Sequence, residues 1–175
     1  MGAEQQGATA TEGRWLTIPR TLCFVTNDDD VLLMKRASHK RVFPNQYNGL
    51  GGHIERDEDP LTGARREIKE ESGLDVHNVR LRAVHNIDAG AQTGIILFVY
   101  TAVSHHRQFV SDGREGTLEW VSIHALDQYD LVEDLPIILP KILTMSASTP
   151  PYSVHVSYDT NNEIQMRFIV DGESA

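Results

Sequence analysis

The segment from Asp59 to Gly73, "DPLTGARREIKEESG", constrains the fold of this chain more than any other stretch. Asp59 suits the N-cap, Pro60 the first helical position and Gly73 a left-handed stop, which together bound a helix over residues 60–72. At about 100° per residue, Leu61, Ala64 and Ile68 fall on one stripe that can pack on a sheet. Glu67, Glu70 and Glu71 stand at i, i+3 and i+4, so their carboxylates share a second face, and Arg66 precedes Glu70 by one helical turn.

Strands flank this helix. "TLCFV" and "VLLMKR" alternate or run apolar on either side of the turn "TNDDD", which predicts a hairpin. The basic loop "RASHKRVFPNQ" leads to a short strand, "YNGLGG", that ends in paired glycines. "VRLRAVHNI", "GIILFVYTAV" and "TLEWVSI" read as further strands, and "DLPIILPKILTM" as a short helix interrupted by Pro140. The stretch "YSVHVSYDTNNEIQMRFIV" predicts a closing hairpin turned at Asn161 and Asn162. Many strands with few helices imply an α/β (α+β) sandwich around a mixed β-sheet. Residues 1–13, small and polar, are expected to be a disordered tail, with a single domain over residues 14–172.

The charge balance narrows the function. Net charge is −9 and no segment gathers Lys and Arg into a stripe, which argues against a nucleic-acid polymer or an anionic membrane as partner. A small phosphorylated substrate stays open, because a bound cation inverts the local field. Cys23 is the one cysteine, so no intramolecular disulfide forms, and its apolar surroundings predict a buried, inert thiol. Neither a membrane-length apolar run nor a signal peptide is visible, so a cytoplasmic protein, monomeric or homodimeric, is expected.

Three acids on one helical face are ordinarily solvated surface. Here they follow paired glycines and a loop acid, Glu58. Like charges one turn apart cost a few tenths of a kcal/mol, roughly, unless a cation bridges them, and glycine lets a backbone carbonyl approach a ligand closely. Oxygen donors without a His or Cys cluster point to a hard cation, Mg2+ first and Mn2+ second. Mg2+ commonly completes its shell with substrate phosphates, which suggests metal-assisted attack on a phosphate ester or anhydride.

Gly52, Glu58 and "REIKEESGL" from Arg66 to Leu74 together resemble a complete Nudix box, G-x5-E-x7-R-E-U-x-E-E-x-G-U with U aliphatic. Asp57 stands where many members carry Gly, and Asp tolerates the left-handed backbone such a position could require. The resemblance implies a Nudix-type α/β/α sandwich and divalent-metal hydrolysis of nucleoside diphosphates linked to another moiety. It makes Glu70 and Glu71 the main metal ligands, Glu67 a further ligand or general base, and the Gly51 carbonyl the completing donor. Glu67, Glu70 and Arg66 form the catalytic group, with Arg66 orienting the glutamates. Glu58 would brace the loop against the helix or reach metal through water. A later acid often joins such sites; Glu115 is the first choice and Glu119 the second. Lys35 and Arg36, at a strand end, are placed to meet phosphate oxygens.

Markers associated with ADP-ribose, dinucleoside polyphosphate, NADH and coenzyme A hydrolases are absent. What remains is similar to oxidised-purine nucleoside triphosphate diphosphatases, with Asn48 in "YNGLGGHIE" and Glu133 and Asp134 in "DLVEDLPIILP" as contacts for the base edge. The expected activity is Mg2+-dependent conversion of a nucleoside triphosphate, an oxidised purine such as 8-oxo-dGTP included, to monophosphate and pyrophosphate. Two alternatives stay open: hydrolysis of another nucleoside diphosphate conjugate, and a nucleotide-sensing module without catalysis.

Overall fold

In the computed structural model, residues 2–8 and 10–168 are described. Among the described residues eight strands form one mixed sheet: β1 (Leu16–Asn27), β2 (Asp30–Arg36), β3 (Tyr47–Asn48), β4 (Val76–Ile87), β5 (Thr93–Ser104), β6 (Gly116–Ser122), β7 (Tyr152–Tyr158) and β8 (Ile164–Phe168). The order is β3-β2-β1-β5-β4-β7-β8, with β6 also pairing β2. β1 runs parallel to β5 and β4 parallel to β7, while the other pairs are antiparallel. Helices α1 (Pro60–Ser72) and α2 (Leu135–Leu143) complete the fold, and Ala3–Gln6 forms a turn of 3-10 helix ahead of it. No helix is long and apolar enough to cross a membrane among the described residues.

Strand alternation divides the core in two. Leu22 and Phe24 of β1 pack with Leu135, Ile138, Leu139 and Ile142 of α2. Cys23 and Val25, with the opposite parity, pack with Ala64 and Ile68 of α1. The two helices therefore cover opposite faces of the sheet, as the sandwich expectation requires. Cys23 is fully buried and its thiol is pushed up by that burial, in keeping with an inert side chain.

Three expectations need correction. α2 is continuous through Pro140. A proline inside a helix costs about 3 kcal/mol, whereas each fully buried aliphatic side chain contributes roughly 1.5–3 kcal/mol; the four α2 side chains packed on the sheet outweigh the break. Thr144 Oγ1 also donates to the carbonyls of Pro140 (2.9 Å) and Lys141 (3.0 Å), which satisfies the helix end. Leu61 does not join the buried stripe: it is 39% exposed, and Ala64 and Ile68 carry the packing. Asp57 does not adopt positive φ, so the loop makes no left-handed demand there. The closing hairpin turns at Asn161 and Asn162, with Asn162 at φ 62, and its predicted last residues, 169 and 170, lie outside the described residues.

Candidate active site

Helix α1 is fixed at both ends. Asp59 Oδ1 accepts the Leu61 and Thr62 amides at 2.8 and 3.1 Å, and its Oδ2 accepts the Thr62 hydroxyl. Gly73 closes the helix at φ 69, its N–H bonded to the Lys69 carbonyl. With the ends set, the acidic face meets the loop from Leu50 to Glu58.

Arg66 organises that meeting. Its Nε and Nη2 hold Glu58 in a two-point pair at 3.0 and 2.7 Å, Nη2 also donates to the His53 carbonyl, and Nη1 lies between Glu67 (2.9 Å) and Glu70 (3.1 Å). Two-point guanidinium–carboxylate pairs fix geometry as well as charge. Glu58, only 8% exposed at its side chain, accepts the Glu55 amide too, and the guanidinium holds its carboxyl below the usual range. Of its two expected roles, bracing loop against helix is the one these contacts serve.

Glu71 takes a different partner: its Oε2 accepts the Gly51 amide at 2.8 Å. Burial raises its pKa to about 8, against the pull of that amide, with the charges of Glu67 and Glu115 adding to the rise. Glu67 is also raised, chiefly by burial and against the pull of Arg66. Glu70, 59% exposed, is turned outward on Arg66. The three carboxylates share a face without closing on one point, and among the described residues no three acidic, His or Cys side chains enclose an ion.

Both glycines are geometric necessities. Gly51 has φ +138, and a Cβ there would stand 2.3 Å from the Thr21 carbonyl oxygen. At Gly52 a Cβ would stand 2.4 Å from Glu67 Oε1, so the absent side chain is what lets that carboxylate lie against the loop.

The chain matches the NUDIX domain family profile over residues 16–142, which spans both helices and the strands between them. It belongs to the NUDIX family. This NUDIX chain is 40% identical over 63 residues to the m7GpppN-mRNA hydrolase NUDT17 of Bos taurus, covering 36% of this chain and about a fifth (21%) of that relative's length. It is 29% identical over 118 residues to the nucleoside triphosphatase NudI of Escherichia fergusonii, covering 61% of this chain and 83% of the relative. Among solved structures, a MutT protein from Bacillus halodurans has a TM-score of 0.71 at 24% identity, covering 90% of this chain and 99% of its own. A NUDIX-family hydrolase from Clostridium perfringens superposes with a TM-score of 0.58 at 25% identity, covering 71% and 95%.

The remaining candidate residues divide between the two faces. Glu115 lies near enough for its charge to act on Glu71, and its carboxylate holds Lys40 at 2.6 Å. Glu119 is on the α2 face, where it accepts the hydroxyls of Tyr47 (2.8 Å) and Tyr129 (3.2 Å). Lys35 faces the same way, its Nζ 5.7 Å from the Tyr47 ring centroid. The neighbouring Arg36, of opposite parity, is the cation whose charge reaches Glu71. Asn48 pairs with Met34 and so shares the α1 face, its Oδ1 accepting the Gly49 amide. Glu133 accepts the Tyr158 hydroxyl at 2.7 Å, and burial raises the Asp134 pKa to about 6. The Asp130–Val132 segment zips to Tyr47 through backbone bonds of 2.8 and 3.0 Å, which holds these two acids beside β3. No hydrogen bond joins Asn48 to either acid among the described residues.

Against Tyr152, a residue within reach of the Asp134 charge, lies a buried polar group that the sequence did not disclose. His85 is fully buried with neither ring nitrogen partnered among the described residues, and the Tyr152 hydroxyl likewise has no partner among them. Burial lowers the His85 pKa to about 4. A β-bulge between Leu81 and Ala83 resets the alternation of β4, so simple period-two reading assigns His85 to the wrong face.

The α1 donors suit a hard cation. They are oxygens only; Glu67 and Glu71 are half-desolvated acids that repel one another, and the Gly51 carbonyl accepts no hydrogen bond among the described residues. Glu67, Glu71 and that carbonyl would hold the ion, with Glu70 and Glu115 at its margin.

Proposed function

We propose that this NUDIX chain is a Mg2+-dependent hydrolase that cleaves a nucleoside triphosphate to monophosphate and pyrophosphate, with purines, oxidised ones included, as preferred bases. The observation that carries the reading is the pair Glu67 and Glu71, kept half-desolvated against Gly51 and Gly52 with raised pKa values that a bound cation would relieve. A divalent cation, once bound, supplies charge neutralisation on the phosphoryl oxygens. The chain's own groups do the rest. Arg66 fixes the carboxylates through Glu58, and Glu67 is poised to accept a proton from the attacking water. Arg36 offers positive charge on the same side. Asp134 and Glu133, with Asn48 from the other face, are the assigned contacts for the base, and Arg36 rather than Lys35, which lies on the α2 face beside Tyr47, is the contact for the phosphate tail.

The triphosphate reading draws support from the relative named nucleoside triphosphatase, matched over 83% of its length, where the mRNA-cap hydrolase is matched over about a fifth (21%). The test is a substrate panel with Mg2+ or Mn2+: unmodified and 8-oxo purine triphosphates, ADP-ribose and a methylated cap dinucleotide, with phosphate and pyrophosphate release measured. Pyrophosphate release fastest from a purine triphosphate is the expected result. Turnover of ADP-ribose or cap alone would reassign the substrate, and tight binding without product would make the chain a nucleotide sensor.

A further inference from the structure

A second charged pocket lies on the α2 face. Arg80 and Arg82 line a cavity of about 170 Å³ with Thr26, Asn78, Thr101 and Ile142. Two register shifts in β4, between His77 and Arg80 and between Leu81 and Ala83, border it. Arg80 pairs with Thr101 across to β5, and the register shift between Leu81 and Ala83 inserts Arg82 as an extra residue. Such an insertion re-aims a side chain, and Arg82 Nε reaches the Oγ1 of the same Thr101 at 2.7 Å. One guanidinium thus bonds the Thr101 hydroxyl, and the strand partner of that threonine supplies a second arginine to the same cavity.

Neither arginine meets a carboxylate among the described residues, although the chain carries net charge −9. Arg82 is 8% exposed. Its Nη1 donates to the Ser146 carbonyl at 2.8 Å and Arg80 Nη1 donates to the Ala147 carbonyl at 3.3 Å. Those bonds tether the loop after α2, which explains one arginine there. They leave Nη2 of both side chains without a protein acceptor among the described residues. A guanidinium carries five donors, and a buried cation beside a second cation is costly without a counter-charge. Burial and the Arg80 charge both work against the charged form of Arg82.

We propose that this pocket binds a small multivalent oxyanion of the phosphate type, with Arg80 and Arg82 as charged donors and Asn78 and the Thr101 hydroxyl as neutral ones. The site is separate from the glutamates of α1. Thr26 stands five residues beyond Thr21, whose amide bonds the Gly52 carbonyl. Five strand residues cover roughly 16 Å and reverse the face.

The anion could be free phosphate or the phosphate of a nucleotide, and the experiment separates them. Protein labelled with 15N in its arginine side chains is titrated in EDTA with inorganic phosphate, pyrophosphate and AMP at matched ionic strength, following the Nε–H signals. Saturable shifts of the Arg82 signal are expected. Arg80→Gln should weaken the affinity about tenfold, the loss of a charged hydrogen bond, with circular dichroism unchanged; Thr101→Val should weaken it less. Phosphate binding as tight as AMP binding identifies a free-anion site, and tighter AMP binding identifies a nucleotide phosphate. No saturable shift with any of the three ligands, or an affinity unchanged in Arg80→Gln, overturns the proposal.

Discussion

The Glu71 carboxylate receives the Gly51 amide at 2.8 Å, which ties the last turn of α1 to the loop that leads into it. The bond holds an acid in a desolvated place where, without a cation, its proton is retained up to about pH 8. Glu71→Gln keeps an acceptor for the amide and removes the charge. Its metal-free melting temperature is expected to equal or exceed that of the parent at pH 8. The rise in melting temperature on adding millimolar Mg2+ should vanish, because linkage requires binding to the native state. Turnover should fall at least about a hundredfold, as expected when a group that stabilises developing charge is removed. Scanning calorimetry with and without Mg2+ checks the first two, and a pyrophosphate assay the third.

Gly51 and Gly52 should respond differently to alanine. At Gly52 the obstructing atoms are the carboxylate end of Glu67, which can swing away. Gly52→Ala is therefore expected to fold with its stability within about 1 kcal/mol of the parent, yet to lose most of its turnover. At Gly51 the obstruction is the Thr21 backbone and φ is +138. Gly51→Ala should destabilise the fold by about 2–4 kcal/mol. Urea melts of both proteins beside activity assays distinguish the two cases.

Arg66 reaches Glu58, Glu67, Glu70 and the His53 carbonyl together. Arg66→Met leaves Glu58 without its guanidinium and should cost about 2 kcal/mol, the scale of lost charge-assisted bonds in a partly buried network. Arg66→Lys keeps the charge but not the fork, so it should recover part of the stability and little of the turnover. Paired denaturation and kinetic measurements on the two variants test the separation.

His85 sets a pH dependence. Its pKa falls from 6.5 to about 4 on folding, so its contribution to stability is complete above pH 6.5 and is lost as pH drops toward 4. The loss is expected to reach about 3 kcal/mol across that window. Asp134, raised from 3.8 to about 6, acts oppositely: its penalty grows as pH rises between those values. His85→Phe should flatten the acid side of the stability profile and Asp134→Asn should lift stability above pH 6. Melting temperatures of the three proteins from pH 4 to 8 would expose a wrong assignment as parallel curves.

Much of the fold was legible because local chemistry and tertiary packing agree. Asp59, Pro60 and Gly73 mark α1 to the residue, and the strands announce themselves by alternation. The Arg66 pairing with Glu70 follows from helical spacing alone. What escaped reading depends on long-range choices. Nothing local shows that Arg66 prefers Glu58, eight residues away, as its two-point partner. Strand parity separates Lys35 from Arg36, but which parity faces α1 is decided only when β2 meets β6 and β1. The β4 bulge leaves no sequence mark, so the Arg80–Arg82 pocket and the burial of His85 were hidden together. Pro140 misled because a local breaking tendency is weaker than the burial of four aliphatic side chains.

The parallel pairing of β1 with β5 matches Leu16 to Thr93 and Thr26 to Val103, residues more than seventy positions apart. Such distant partners must find each other late, since closing a long loop precedes any reward from the contacts it allows. α1, whose caps are local, can flicker into shape well before that. The loop at Gly51 reaches its working position only against Thr21 and Cys23 on β1. A newly made chain is thus expected to acquire its acidic helix early and the seat of its proposed chemistry last, so that the glutamates and the glycine loop meet only in the finished fold.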